Sequence, residues 1–322
     1  MMKRTLLCLL AILTAFPAGS WGFFGHRQIN FYAVFLLPPQ MMVLYKPQQG
    51  FLVEHAVDPD MRRYALPAEA PRHYIDLDHY GSYPYSTLPR KWNEAVSRFT
   101  EDSLNRHGIV PWWIQTMLSR LTQAFRDRDQ FHILKYSAEI GHYIADAHVP
   151  LHASSNHNGQ LTGQRGIHGF WESRIPELLA SENWDFFIGK AAYIRNPLEF
   201  TWQRVLESGA AADSVLKLER QLSAKFPSDQ KYAFEERNGK TVRQYSSAYT
   251  RAYDKLLRGM VERRMRQSIL AVASFWYTAW VNAGQPDLNQ LSHRDLNPEE
   301  ISEFEKLQQA WNRGGAGEEG HD

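Results

Sequence analysis

Apolar residues recur along most of the chain in steps of three and four, the spacing that places side chains on one face of an α-helix. The helices that this pattern predicts are Gly25–Leu37, Trp112–Phe125, Phe131–Ala147, Gly169–Leu179 and Pro197–Leu206. Pro38-Pro39 is expected to end the first of them, since proline cannot continue a helix. A charged break, Arg126–Gln130, separates the second helix from the third.

The longest helical pattern runs from about Tyr245 to Asn282. It becomes almost wholly apolar over Ile269–Val281, as expected for a helix buried in a bundle. Within Glu235–Arg243, Asn238-Gly239 is a possible hairpin turn, but no alternating strand pattern repeats along the chain. The sequence therefore predicts an all-α fold, a multi-helix bundle in a single domain over residues 21–311.

The two ends of the chain have a different composition. Residues 1–20 have the layout of a secretory signal peptide, in which an apolar run, Leu6–Phe16, follows two basic residues. That run is too short to span a bilayer. Ala18 and Ser20 are small residues at the positions that a signal peptidase reads, so cleavage would leave Trp21 as the first residue. An uncleaved N-terminal anchor is the alternative. Export predicts a secreted or periplasmic protein, and residues 312–322, rich in Gly and Glu, are predicted to be a disordered tail.

Composition limits the chemistry of the mature chain. Cys8 is the only cysteine and would leave with the signal peptide, unless it served as a lipid attachment site. Any metal site must then use His, Asp, Glu or backbone atoms. Without Lys3 and Arg4 the basic residues fall from 36 to 34, against 35 acidic residues, a net charge near −1. Such a balance argues against a strongly basic nucleic-acid binder. No other segment is long and apolar enough to cross a membrane.

Histidines and carboxylates recur at helical spacing in two places. The chain has 13 histidines. His142 and Asp146 are four residues apart on one predicted helix and so share a face. His168 and Glu172 repeat this spacing near the next helix, and His152 lies between the two pairs. Together these residues form a plausible metal site that is rich in nitrogen and oxygen ligands.

Further candidates lie upstream. His73 follows two aspartates, Asp58 and Asp60, and the start of the mature chain supplies Trp21 and His26. Cleavage after Ser20 would also give Trp21 a free α-amine, a group whose ordinary pKa is near 8.

In the order and spacing of these residues, and in the tryptophan that follows the signal, the chain resembles the superfamily of bacterial zinc-dependent phospholipases C and single-strand-specific zinc nucleases. The resemblance covers most of the mature chain and implies a cluster of three zinc ions. It implies a first site of Asp58, His73, His142 and Asp146, a second of His152, His168 and Glu172, and a third of the Trp21 amine and carbonyl with His26, which Asp146 bridges to the first. Asp58 is favoured over Asp60 because it follows the small, apolar Ala56-Val57, as the family acid usually does.

The resemblance implies hydrolysis of a phosphodiester by metal-activated water, with Asp58 also orienting that water. The substrate stays open between a phospholipid head group, reached through transient membrane-surface contact, and single-stranded nucleic acid or a nucleotide. Glu172 and the absence of disulfides are typical of the phospholipases, whereas the five-residue step from Trp21 to His26 is typical of the nucleases. We favour a phospholipase C-like enzyme. A third reading is a secreted protein that binds zinc only for folding and catalyses nothing.

Overall fold

The computed structural model describes residues 22–237, 239–291 and 297–314. The predicted signal peptide, Trp21 and the predicted tail beyond Gly314 lie outside the described residues, whereas residues 312–314, predicted to be disordered, end a helix. The α-helices are α1 Gly22–Val34, α2 Pro39–Tyr45, α3 Gln49–Glu54, α4 Asp58–Arg62, α5 Trp92–Phe99, α6 Glu101–Arg106, α7 Val110–Asp127, α8 Gln130–Asp146, α9 Ile167–Gly169, α10 Ile175–Asn183, α11 Pro197–Ser223, α12 Ser247–Leu257, α13 Met260–Asn282 and α14 Pro298–Gly314.

Short helical turns and one hairpin complete these elements. A π-helical turn, Phe170–Arg174, joins α9 to α10. The 3₁₀ turns are His55–Val57, Ala70–Arg72, Leu77–Tyr80, Pro150–Ala153, Ser228–Gln230 and Leu288–Gln290. Strands β1 (Tyr232–Arg237) and β2 (Lys240–Tyr245) pair antiparallel, with Arg237 opposite Lys240. Asn238 of the predicted Asn-Gly turn lies outside the described residues. Helix dominates the described residues, so the predicted all-α class is confirmed.

The core forms where α13 packs against α1, α7 and α8. As the apolar pattern predicts, the second half of α13 is almost entirely buried. Its Trp276 donates a hydrogen bond from Nε1 to the Ser137 carbonyl at 2.9 Å, and Tyr45 lies 2.7 Å from the Ser137 hydroxyl. The polar atoms of Trp276 and Tyr45 are thus paired, which avoids the cost of burying them without hydrogen bonds.

Helix α1 approaches α8 closely at Gly141. A Cβ atom added there would lie 2.1 Å from Oδ1 of Asn30, well inside van der Waals contact. Asn30 is fully buried, and its Nδ2 donates to the carbonyls of Leu52 at 3.0 Å and Ala138 at 3.1 Å. Glycine at residue 141 therefore lets one asparagine tie α1 to α8 and to α3. The same approach brings His26 of α1 beside His142 of α8.

Helix α14 packs against α4 and the first turn of α1. Trp311 is buried in a small cluster with Phe23, Val57 and Met61, separate from the main core. Its ring centroid lies 5.2 Å from that of Phe23 and 5.1 Å from that of Tyr64. The contact fixes the start of α1 relative to the segment that carries Asp58 and Asp60.

The structure differs from the predicted elements at two glycines. The pattern over Tyr245–Asn282 forms two helices, because Arg258 and Gly259 both have positive φ values, 54° and 70°, between α12 and α13. Helix α11 extends to Ser223, well past the predicted Leu206, because Gly209 continues the helix. A Cβ at Gly209 would lie 2.7 Å from Leu77 Cδ1, so this glycine serves close packing.

Within the described ranges, the structure contains no helix whose length and apolar character would suit a bilayer span.

Candidate metal centre

Seven segments, several of them distant from one another in the chain, bring histidines and carboxylates together in the interior. Helix α1 supplies His26, α4 supplies Asp60, and the residue after the 3₁₀ turn Ala70–Arg72 is His73. His142 and Asp146 lie on α8, His152 on the 3₁₀ turn Pro150–Ala153, His168 on α9 and Glu172 on the π-helical turn. All eight side chains are buried. Their ligand atoms form three groups, each compact enough to hold a metal ion.

The first group consists of Asp60, His73 and His142. Nδ1 of His73 and Nε2 of His142 are 3.0 Å apart. Oδ1 of Asp60 lies 3.7 Å from that His73 nitrogen and 3.6 Å from that His142 nitrogen. Two imidazole nitrogens and a carboxylate oxygen therefore converge on one point.

The second group consists of His152, His168 and Glu172. Oε2 of Glu172 lies 3.0 Å from Nε2 of His168 and 3.4 Å from Nε2 of His152. His168 and Glu172 keep the four-residue spacing seen in the sequence, but the intervening backbone is π-helical rather than α-helical. Such turns are frequent at functional sites because they redirect side chains within a helix.

The third group consists of His26, His142 and Asp146, and it shares His142 with the first. Oδ1 of Asp146 faces His26 Nε2 at 3.5 Å, while Oδ2 lies 3.0 Å from Nδ1 of His73 and 3.3 Å from Nε2 of His142. One carboxylate thus directs one oxygen at the first group and the other at the third. The rings of His26 and His142 stack with centroids 3.8 Å apart.

The hydrogen bonds of the histidine rings suit metal ligation. Nδ1 of His142 lies 2.9 Å from the Ala56 carbonyl, and Nδ1 of His152 lies 2.7 Å from the His73 carbonyl. A carbonyl oxygen can only accept, so each Nδ1 carries the proton. In a neutral ring the lone pair is then on Nε2, which faces the ligand groups. Backbone acceptors hold metal-binding histidines in this way. The donor set therefore fits a cation.

Electrostatics keep the carboxylates ionised. Burial alone would raise the pKa of Asp146, but the charges of His142 and His152 hold it well below its usual value. Burial also opposes ionisation of Glu172, yet the charge of His168 and hydrogen bonds from both histidines lower its pKa to about 2. For His26, burial and the charge of His142 lower the pKa to about 3, so its ring is neutral at physiological pH. Burial lowers the pKa of His142 and of His152, but Asp146 outweighs it and raises both to about 9, so both rings carry a charge near neutral pH in this structure. A cation bound in the groups would replace their Nε2 protons and leave the anionic oxygens and neutral imidazoles that bind metal.

Asp58 does not lie in the first group, where the sequence analysis placed it as ligand and as the residue that orients water. Its Oδ2 lies 2.8 Å from Nδ1 of His55, three residues earlier. The alternative acid, Asp60, lies in the first group. A difference of two residues in a helix rotates the side chain by about 200°, so the two carboxylates of α4 cannot face the same point.

The predicted ligand Trp21 lies outside the described residues. Gly22, which follows it, donates its backbone N–H to the hydroxyl of Ser173 at 3.2 Å. Ser173 follows Glu172 in the chain, so the first described residue contacts the neighbour of a residue of the second group.

Other histidines have different surroundings. His148 is buried, but its Nδ1 lies 2.7 Å from the Ile144 carbonyl, away from the three groups. His79 and His107 stack with centroids 3.4 Å apart, and Asp76 lies 3.3 Å from His107. Glu69, which was not among the predicted site residues, is fully buried beside His73. Its four-residue spacing from His73 is the signal that would have found it.

No protein-family model matches the chain, and no curated protein matches it in sequence. The functional argument therefore depends on the geometry of the site and on the resemblance in its motifs.

Proposed function

We propose that this protein is an exported zinc-dependent phosphodiester hydrolase of phospholipase C type, with its active site at the three ligand groups. The observation that carries the proposal is the position of Asp146, whose two oxygens face different groups within one buried centre. A carboxylate in this position can bridge two cations. A structural zinc site needs only one closed set of ligands, whereas adjoining metal sites suit attack on a phosphodiester.

Zinc is the metal that the ligand set supports. Imidazole nitrogens with a few carboxylate oxygens suit zinc, and the described chain supplies both in each group. When bound, such ions would lower the pKa of water to near neutral and offset charge on the phosphoryl oxygens. The protein residues would hold the ions in place, and all eight of these side chains are buried.

The amine and carbonyl of Trp21 complete the third group in this proposal. What supports it is that Gly22, the residue after Trp21, donates its backbone N–H to Ser173, the neighbour of Glu172 in the chain. A variant that retains one extra residue before Trp21 should bind less zinc and lose activity. Full zinc content and full activity in that variant would exclude the amine as a ligand. N-terminal sequencing of protein recovered from the periplasm or medium tests the predicted cleavage after Ser20.

The proposed reaction is tested with purified protein and three substrates, a phosphatidylcholine analogue, single-stranded RNA and single-stranded DNA, with and without a chelator. We expect hydrolysis of the phosphatidylcholine analogue that a chelator abolishes and added zinc restores. Hydrolysis of the nucleic acids alone would assign the nuclease activity instead. Bound zinc with no hydrolysis of any substrate would indicate a structural role.

Asp146→Asn should reduce both zinc content and hydrolysis, because one oxygen of the bridging carboxylate becomes an amide. His132→Asn is the matched control, since His132 is half-exposed and lies 2.7 Å from Asp129, outside the three groups. Equal zinc content in the two variants would contradict the proposed role of Asp146.

A further inference from the structure

Glu69 is a fully buried carboxylate outside the three ligand groups, four residues before His73. Its Oε2 accepts a hydrogen bond from Nη1 of Arg72 at 2.6 Å and lies 3.5 Å from Nη1 of Arg62. Its Oε1 accepts a hydrogen bond from the Tyr143 hydroxyl. The same Oε1 lies 3.7 Å from Nε2 of His73. Both oxygens therefore have defined partners, and one of them faces a ligand histidine.

The ring of His73 is oriented between two sets of oxygens. Nδ1 points to Asp146 and to the first group, while Nε2 points away from the group toward Glu69. Nδ1 is the nitrogen that faces the first group, so a cation bound there would take the Nδ1 lone pair and leave the ring proton on Nε2. Glu69 Oε1, at 3.7 Å, is the carboxylate oxygen that faces Nε2, close enough to accept from it after a small movement of either side chain. His142 and His152 use backbone carbonyls for the same purpose. His73 has a carboxylate in that place.

We propose that Glu69 is a positioning residue for the metal centre, which holds His73 in the tautomer and ring orientation that bind the first ion. The inference rests on the proposed zinc site and adds to it a residue that contacts no metal or substrate. Tyr143 extends the arrangement to α8, because it follows the ligand His142 directly in the chain. Movement of Glu69 would thus disturb two ligands of the first group.

A simpler role for Glu69 would be to neutralise the two arginines. Glu139 provides the matched control, because it is also buried and pairs with Arg62. Among the described ion pairs, Glu139 contacts no histidine of the three groups, whereas Glu69 contacts His73. Glu69→Gln and Glu139→Gln each remove one carboxylate charge from the same buried network. Only the first of these changes the acceptor that faces His73.

The experiment measures zinc affinity by competition with a chromophoric chelator, and the tautomer of His73 by ¹⁵N-labelled imidazole NMR of the zinc-loaded protein. We expect Glu69→Gln to weaken binding of one zinc ion by about 10- to 100-fold, the usual loss when such a partner is removed. The Nε2–H signal of His73 should also change. Glu139→Gln should leave both measurements as in the wild type.

Equal zinc affinities in the two variants, or an unchanged His73 signal in Glu69→Gln, would overturn the positioning role. This failure is distinct from failure of the proposed function. A wild-type protein that binds no zinc would refute the metal site itself, before either variant is compared.

Discussion

Replacement of Gly141 by alanine tests whether close packing of α1 on α8 builds the site. In an isolated helix the substitution would stabilise by about 1 kcal/mol, because glycine is the poorer helix former. In this protein the new methyl group would lie 2.1 Å from the buried Oδ1 of Asn30. Overpacking of this kind costs about 1–3 kcal/mol.

Displacement of Asn30 adds a second cost. Its two hydrogen bonds, to the Leu52 and Ala138 carbonyls, hold three helices together in the interior. A buried polar group that loses its partner costs about 1–3 kcal/mol. The two penalties together exceed the gain in helix propensity, so Gly141→Ala should reduce the free energy of unfolding by about 1–5 kcal/mol.

Equilibrium urea unfolding in the presence of a chelator measures this change without a contribution from bound metal. Gly50→Ala in α3 is the matched control, because an added Cβ there would contact nothing within 4 Å. It should keep or raise stability by up to about 1 kcal/mol. The reasoning is refuted if Gly141→Ala is as stable as Gly50→Ala. A folded Gly141→Ala protein should also bind less zinc, because α1 carries His26 against His142.

Three further predictions concern packing and charge away from the ligands. Trp311→Ala should lower the free energy of unfolding by about 3–5 kcal/mol because it removes the contact with Phe23. Gln308→Ala, at an exposed residue of the same helix, should change this free energy little. Equal urea midpoints for the two variants would show that α14 is not held by the Trp311 contact. Arg264→Met should lower the free energy of unfolding by about 2–3 kcal/mol, because Arg264 Nε donates to the buried His148 carbonyl at 2.7 Å. Arg251→Met loses only an exposed ion pair with Glu182 and should unfold like the wild type. Burial raises the pKa of Glu219, but hydrogen bonds from Tyr249, Gln164 and Lys231 outweigh it and lower the pKa. A lowered folded-state pKa stabilises above the unfolded value of about 4.3, and this stability is lost as the pH falls toward the folded value. The difference in unfolding free energy between wild type and Glu219→Gln should therefore shrink as the pH is lowered below 5, and a pH-independent difference would contradict the assignment.

Helical periodicity was a sound guide to the fold because most helices bury one face or their whole circumference. The buried half of α13 and the pairing of β1 with β2 both follow from local pattern. Glycine was less informative. Gly259 ends a helical segment through its positive φ, whereas Gly209 lies inside a helix and admits Leu77. Only the tertiary neighbours distinguish these two uses of the same residue.

The site was predictable as a set of residue types more than as a set of contacts. The four-residue pairs place two ligands on one helical face without any tertiary information. The choice between Asp58 and Asp60 needs the packing of α4, although His55 three residues before Asp58 was a local signal of its hydrogen bond. The four-residue spacing between Glu69 and His73 is visible in the sequence, but only the structure shows that an oxygen of Glu69 faces His73.

The packing of Trp311 on Phe23 has a consequence for biosynthesis. Helix α14 follows every other described helix in the chain, and yet it covers the turn from which α1 presents His26. During translation, the start of α1 therefore cannot pack against Trp311 until almost the whole chain has left the ribosome. A premature stop codon just before α14 would remove this helix and the residues after it but would keep all eight side chains of the three groups. The truncated protein should nevertheless assemble the centre incompletely, because the segments that carry His26 and Asp60 would have lost the contact that joins them.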